Sequence, residues 1–148
     1  MTKPLQLCSF RLADMTFGVD AVEVQEIIRI RAVTRVPLAD SAVAGLINLR
    51  GQIVTAIDLR TRLGLPARAT GDRSVNVVIR TEDGVFGLLV DEIGDVVDVD
   101  QHSLDPIPET VPAHVRDALH GAIKLADRLL LVLVTDRIVR TEVTGVLS

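Results

Sequence analysis

Three groups of residues in this sequence are of types that could do chemistry. Asp91, Glu92, Asp95, Asp98 and Asp100 carry enough carboxylate oxygen for a divalent cation. His102, His114 and His120 gather in the second half, where imidazoles could ligate a metal or move protons. Arg50, followed by Gly51, stands between two apolar runs, where a planar guanidinium anchors a partner or pairs with a carboxylate. Spacing weakens the first two. Ile93, Val96, Val97 and Val99 interleave the acids, which reads as a strand with an exposed acidic face. No histidine stands at metal-ligand spacing from Cys8 or from another histidine, and their loop-like or helix-end surroundings read as solvated. The serines lack a G-x-S-x-G setting. Gly64, Gly71 and Gly84 are isolated turn glycines, not a phosphate-cradling loop. The sequence asks for no catalysis, no metal and no cofactor.

The third group is more distinctive: Gly45-Leu46-Ile47-Asn48-Leu49-Arg50-Gly51, followed by the apolar run 53–57. Gly51 can take a positive φ, so Arg50-Gly51 reads as a turn. A turn needs the glycine but not Asn48, Leu49 and Arg50 before it. The arginine is therefore a partner-facing anchor, a structural ion-pair former, or both.

The elements that must position these residues come from an internal repeat. Arg11, Asp14, Phe17, Gly18 and Glu23 recur in register as Arg80, Asp83, Phe86, Gly87 and Glu92. Strand, tight turn around an aspartate, then Phe-Gly entering a second strand is a β-hairpin pattern. Downstream, Gly45–Leu49 with 53–57 is echoed by Gly121–Leu125 with 129–133. The chain thus reads as two β-modules, roughly residues 5–66 and 73–140 with room for terminal strands to cross over, and with the loop-like stretch 65–73 as the join. Each is too small to bury much apolar surface alone, so two small closed sheets should pack on one core. Short helices are expected at 20–27 (Asp20 as cap, Glu23 at capping-box spacing), where Val24 and Ile27 would share a face. Others are expected at 58–65, capped by Asp58 and stopped near Gly64, and at 111–119, introduced by Pro112 and ended by Gly121.

Composition narrows the function. Hydrophobic residues make up 48% and aromatics 2%, all phenylalanine, so the core is built from Val, Leu, Ile and Ala, a mixture that favours strands. A net charge of −4 opposes binding to nucleic acid, although the scattered arginines leave room for a local basic face. The single cysteine, Cys8, reads as a small buried strand residue and fits a reducing cytosol. The first residues lack the apolar run of a signal peptide, and the longest apolar run, 129–134, falls far short of the roughly 20 residues a membrane helix needs.

Gln25-Glu26-Ile27, the stretch Val33-Thr34-Arg35-Val36-Pro37, the Gly45–Gly51 motif and Ile57-Asp58-Leu59-Arg60 together resemble the CheW family of chemotaxis coupling proteins. Phe86-Gly87-Leu88-Leu89-Val90-Asp91, Gly121 and the strand 128–134 extend the likeness over most of the chain. The resemblance implies a mainly β fold: one domain, 1–148, of two SH3-like five-stranded barrels around a shared apolar core, with a few short helices. It implies a non-catalytic adaptor without cofactor or metal. Its expected partners are the regulatory domain of the histidine kinase CheA and the cytoplasmic tips of chemoreceptors. The expected place is the cytoplasm, at receptor arrays on the inner face of the membrane, with membrane contact only through the receptors.

By the same likeness Glu26 pairs with Arg50, and Val24, Glu26, Ile27, Asn48, Leu49 and Arg50 form the receptor site. Gly45 and Gly87 match turn positions important for assembly. Asp105 and Thr110 stand where a branch of the family uses an arginine and an aromatic residue at a kinase contact. Alternatives are an adaptor of a non-flagellar chemosensory array, a fragment of CheA or CheV, and a small barrel enzyme or ligand-binding protein with its site between the barrels.

Overall fold

The computed structural model describes residues 4–29, 43–66, 75–100 and 103–139. The repeat folds as two hairpins. Strands β1 (Pro4–Leu12) and β2 (Met15–Asp20) turn at Ala13-Asp14; β6 (Val75–Thr81) and β7 (Gly84–Val90) turn at Glu82-Asp83. Each is followed by a third strand, β3 (Val24–Arg29) or β8 (Glu92–Asp100), and then by a second hairpin. The second hairpins are β4 (Val43–Leu49) with β5 (Gln52–Asp58), and β9 (Leu119–Lys124) with β10 (Leu129–Leu133). Helix α1 (Leu59–Arg62) follows β5, α2 (Ala113–Arg116) precedes β9, and residues 135–139 form α3 after β10.

The strands assemble into two five-stranded sheets, ordered β8-β1-β2-β10-β9 and β3-β6-β7-β5-β4. Neither sheet follows the expected division into 5–66 and 73–140. Each takes a first hairpin from one half and three strands from the other, so the halves exchange hairpins reciprocally. The seam in each sheet is a parallel pair: β2 on β10, with Phe17 opposite Leu131, and β7 on β5, with Phe86 opposite Thr55. The expected join, 65–73, falls mostly outside the described residues, as do 33–37, Arg31 and His102.

The exchange places the core. One cluster takes Phe10, Leu12, Phe17 and Val19 from the first hairpin and Val77, Ile79, Phe86, Leu88 and Val90 from the second. Ile57, Leu59, Leu131 and Ile138 close it from the sides. The rings of Phe10 and Phe17 stack with centroids 6.1 Å apart. The opposite faces of the sheets hold smaller clusters, Leu7, Val99, Ile123, Leu130 and Val132 in one and Leu49, Val54 and Val78 in the other. Burial on both faces explains why β10 is continuously apolar instead of alternating. Cys8 lies half-buried on β1, where burial raises its thiol pKa.

Two expected helices change. At 20–27, Asp20 does cap a turn, its Oδ1 accepting from Val22 N–H at 3.1 Å, but the turn is a 3₁₀ helix of three residues, Ala21–Glu23. The chain then enters β3, because β6 offers an unpaired edge and Val24, Ile27 and Ile28 are β-branched. At 111–119 only α2 is helical, and Gly121 lies inside β9, where a Cβ would come within 2.7 Å of Leu104. The helix expected at 58–65 forms as α1: Asp58 Oδ1 accepts from Arg60 N–H at 3.1 Å, and Gly64 follows with φ +71°.

Because each hairpin completes the other half's sheet, chains cut after Thr70 should each lack cooperative unfolding, and an equimolar mixture should regain it. Circular dichroism and amide spectra of 1–70, 71–148 and their mixture would decide it; a cooperative transition in either half alone would contradict the exchange as the source of stability.

Candidate functional site

Strands β4 and β5 pair from Leu49↔Gln52 outward, leaving a two-residue turn. Arg50 has φ +52° and Gly51 φ +86°, the type I′ signature that matches the twist of paired strands. Glycine takes such a φ freely; arginine does so at a cost of about 1–2 kcal/mol. Side chains offset the strain. Asn48 Oδ1 accepts from Gly51 N–H at 3.0 Å. The Arg50 guanidinium donates through Nη1 to Glu26 Oε2 at 2.7 Å and through Nη2 to Glu26 Oε1 at 3.1 Å. The Arg50 side chain is 76% exposed and that of Glu26 19%. Since β3 and β4 are opposite edges of their sheet, this bidentate pair links its two ends.

The six expected receptor-site residues therefore separate. Glu26, Asn48 and Arg50 converge at the turn. On β3 burial alternates: Val24, Glu26 and Ile28 are half-buried, while Gln25, Ile27 and Arg29 are exposed. Val24 packs against the central core and Ile27 stands 44% exposed. The expected helix is absent, but the shared face is kept: a register shift between Val24 and Glu26 sets Val24 opposite Ile79 and Ile27 opposite Val77, on one side of the sheet. Leu49 is buried in the smaller cluster with Val54 and Val78. The sequence reasoning missed Ile53, which is 59% exposed and pairs directly with Asn48 across the hairpin. The signal was available: a two-residue turn at Arg50-Gly51 fixes that register and puts Asn48 and Ile53 on one face.

The assembly glycines are not in turns. Gly45, with φ +151°, lies at a register shift in β4, the place of a β-bulge. Gly87 lies within β7, where a Cβ would come within 2.3 Å of Asn76 Oδ1. Asp105 exchanges backbone hydrogen bonds with Ala122, so the chain leaving β8 crosses to the far edge of its sheet. Thr110 is exposed in the turn beyond it, and Arg116 holds that segment by donating to the carbonyls of Ile107 and Pro108.

The acidic run is the expected strand β8 with an exposed face, except for Asp91. Asp91 is held by the guanidinium of Arg60, with Nε at 2.9 Å from Oδ1, and its Oδ2 accepts from Ala13 N–H at 2.7 Å. This largely buried contact ties α1, the β1–β2 turn and the β7–β8 junction together. Among the described residues no group of His, Cys, Asp and Glu could hold a metal ion, and no helix is long and apolar enough to cross a membrane.

At the other junction Glu23 accepts a short hydrogen bond from the Thr135 hydroxyl. Burial pushes the Glu23 carboxyl above the ordinary glutamate range; Asp20 and Asp136 add to the rise, against the pull of Thr135.

Comparison with known proteins places this geometry. The family model for the CheW-like domain matches residues 6–143. The chain is 31% identical over 137 residues to the chemotaxis protein CheW of Rhizobium meliloti, covering 93% of this chain and 88% of that one. It is 31% identical over 121 residues to the chemotaxis protein CheW of Bacillus subtilis, covering 82% and 78%. Among solved structures, the scaffolding protein TtCheW from Thermoanaerobacter tengcongensis matches with a TM-score of 0.79 at 28% identity, covering 89% of this chain and 90% of that one.

Two measurements follow. The exposed Arg50–Glu26 pair contributes less than about 1 kcal/mol. Arg50→Ala loses it and keeps the strained φ, whereas Arg50→Gly loses it and relieves the strain. In denaturant unfolding Arg50→Gly should therefore exceed Arg50→Ala in stability by about 1 kcal/mol; equal stabilities would show the turn to be unstrained. For Glu23 the folded chain holds its proton more tightly than the unfolded chain. Its contribution to stability should fall as pH rises from the ordinary glutamate pKa through the raised folded value. The stability advantage of Glu23→Gln should grow across that window and level off above it; a pH-independent difference would mean Glu23 ionises normally.

Proposed function

The chain belongs to the CheW-like family, and from that premise we propose that it is a non-catalytic scaffold coupling chemoreceptors to a CheA-type histidine kinase. It works by presenting fixed surfaces, without a bound cofactor. It is cytoplasmic and reaches the membrane only through the receptors it joins.

The observation that carries this reading is the clamped hairpin. Arg50 and Gly51 hold a strained turn against β3, and the exposed apolar residues Ile27 and Ile53 stand on the same two elements. An apolar strip with a charged rim suits the apolar face of an amphipathic helix, the form of a receptor tip. Val24, on the same face of β3 as Ile27, carries that face into the central core, and Leu49 packs behind the hairpin in the smaller cluster. The scaffolding description of the TtCheW structure supports the same role.

Ile27→Asp tests it. A carboxylate placed in an apolar contact costs about 2 kcal/mol or more, so affinity for a receptor cytoplasmic fragment should fall at least about tenfold. Binding to the kinase regulatory domain should persist, and Asp127→Asn, in the exposed β9–β10 turn, should change neither. Paired titrations of folded variants give the answer. Normal receptor binding by Ile27→Asp, or equal loss of both partners, would remove β3 from the receptor site.

A further inference from the structure

The internal repeat supplies its own comparison. Asp58-Leu59-Arg60, from the last residue of β5 onward, corresponds to Val134-Thr135-Asp136 after β10, and Ala13 opens one hairpin turn as Glu82 opens the other. At the first junction a guanidinium is buried: Arg60 lies on Asp91 and donates to the Pro66 carbonyl at 3.1 Å. At the second junction Asp136 takes the place of Arg60, Glu82 that of Ala13 and Val22 that of Asp91. Among the described residues no arginine fills it in the same way. Instead there is an open groove of about 480 Å³.

The groove has two parts. Its floor is apolar, from Leu7, Val132 and Leu133, and its rim carries Asp20, Glu23, Glu82 and Asp136. The one arginine on the rim, Arg80, donates to Gln25 Oε1 at 3.1 Å. A second cavity of about 300 Å³ shares Leu5, His120 and Val132 with the groove and runs on to Leu104 and Ile123, with Asp100 also on its wall. An acidic mouth therefore opens onto a hole lined mainly by Leu5, Leu104, Ile123 and Val132. A hydrated metal ion has no use for such a floor, and a polyanion is repelled by the rim.

We propose that this groove is a second docking site, and that its occupant is an aliphatic, basic segment of a partner protein. An arginine or lysine head lies among Glu23, Glu82 and Asp136, where the other junction holds Arg60, and a neighbouring leucine-like side chain fills the adjoining cavity. The burial and mutual repulsion that raise the Glu23 pKa are relieved when a cation arrives. The groove shares none of the six residues of the proposed receptor site, so both can be occupied together.

The test is an amide-shift titration of the full chain with a capped peptide of alternating leucine and arginine. Peptides with glutamate or glutamine in place of arginine are the controls. Saturable shifts at Glu23, His120, Thr135 and Asp136 are expected with the arginine peptide, weaker ones with glutamine and none with glutamate. Asp136→Arg, which copies the first junction, should weaken binding about tenfold or more, and Glu82→Gln, at an exposed turn position, about threefold. If Asp136→Arg fails to fold, Glu82→Gln still decides. Arg50→Ala should bind the peptide as the parent does even where receptor binding is lost, which separates this site from the proposed function. The proposal is overturned if the shifts fall elsewhere or if the glutamate peptide binds equally. It is also overturned if neither variant weakens binding, or if binding appears only after removal of residues 141–148, which would make the chain's own end the occupant.

Discussion

Neither half of this chain can complete a sheet by itself, and the rest of the structure depends on that constraint. The β1–β2 hairpin lies between β8 and β10, and β6–β7 lies between β3 and β5. An isolated hairpin is marginal in water; here each becomes the centre of a five-stranded sheet, and their facing apolar sides make one core. The two sheets therefore cannot drift relative to each other without opening that core. For the proposed scaffold, whose task is to hold partners in register, this rigidity is the relevant physical property. The β4–β5 turn and strand β3 meet in a fixed relation because both are attached to hairpin β6–β7.

Strain is placed where that rigidity can hold it. Among the described residues only Ala13 and Arg50 adopt positive φ without being glycine. Each opens a two-residue turn, and each is answered by a carboxylate from a distant strand or junction. Asp91 accepts from the Ala13 N–H, and Glu26 receives the Arg50 guanidinium. Closure of the sheets differs accordingly. The sheet containing β8 and β9 is closed by main chain, through Asp105 and Ala122. The other is linked across its edges by the exposed Arg50–Glu26 pair, so a side chain at the surface carries a structural task and remains open to a partner.

The sequence made the hairpins legible because Phe17-Gly18 and Phe86-Gly87 follow tight turns in register. It did not make the exchange legible. Similar hairpins carry the same apolar pattern, so the pattern defines the unit and leaves open which copy each unit pairs with. The capping signals at Asp20 and Glu23 were real but produced one 3₁₀ turn, because the open edge of β6 outweighed a weak local helix preference. The Arg50–Glu26 pair came from family likeness, not spacing. Periodicity alone would have corrected the assignment of Leu49, since Ile47 and Leu49 alternate inward while Asn48 and Arg50 point out.

Gly18 and Gly87 occupy equivalent places, yet for different reasons. A Cβ at Gly18 would press on Leu7 at 3.3 Å, an apolar neighbour, whereas at Gly87 it would meet the amide of Asn76. Asn76 occupies the place of Leu7, and its Oδ1 is buried without a hydrogen-bond partner, an arrangement that costs about 1–3 kcal/mol where an apolar side chain would cost nothing. Arg60 against Asp136 is the same kind of divergence on the outside. The backbone plan of the repeat is retained in both halves, while side chains at equivalent positions differ in charge and polarity. A duplicated fold with identical surfaces would bind one kind of partner twice. Divergence at these positions gives one rigid body two unlike faces, which is what the proposed coupling of two unlike partners requires.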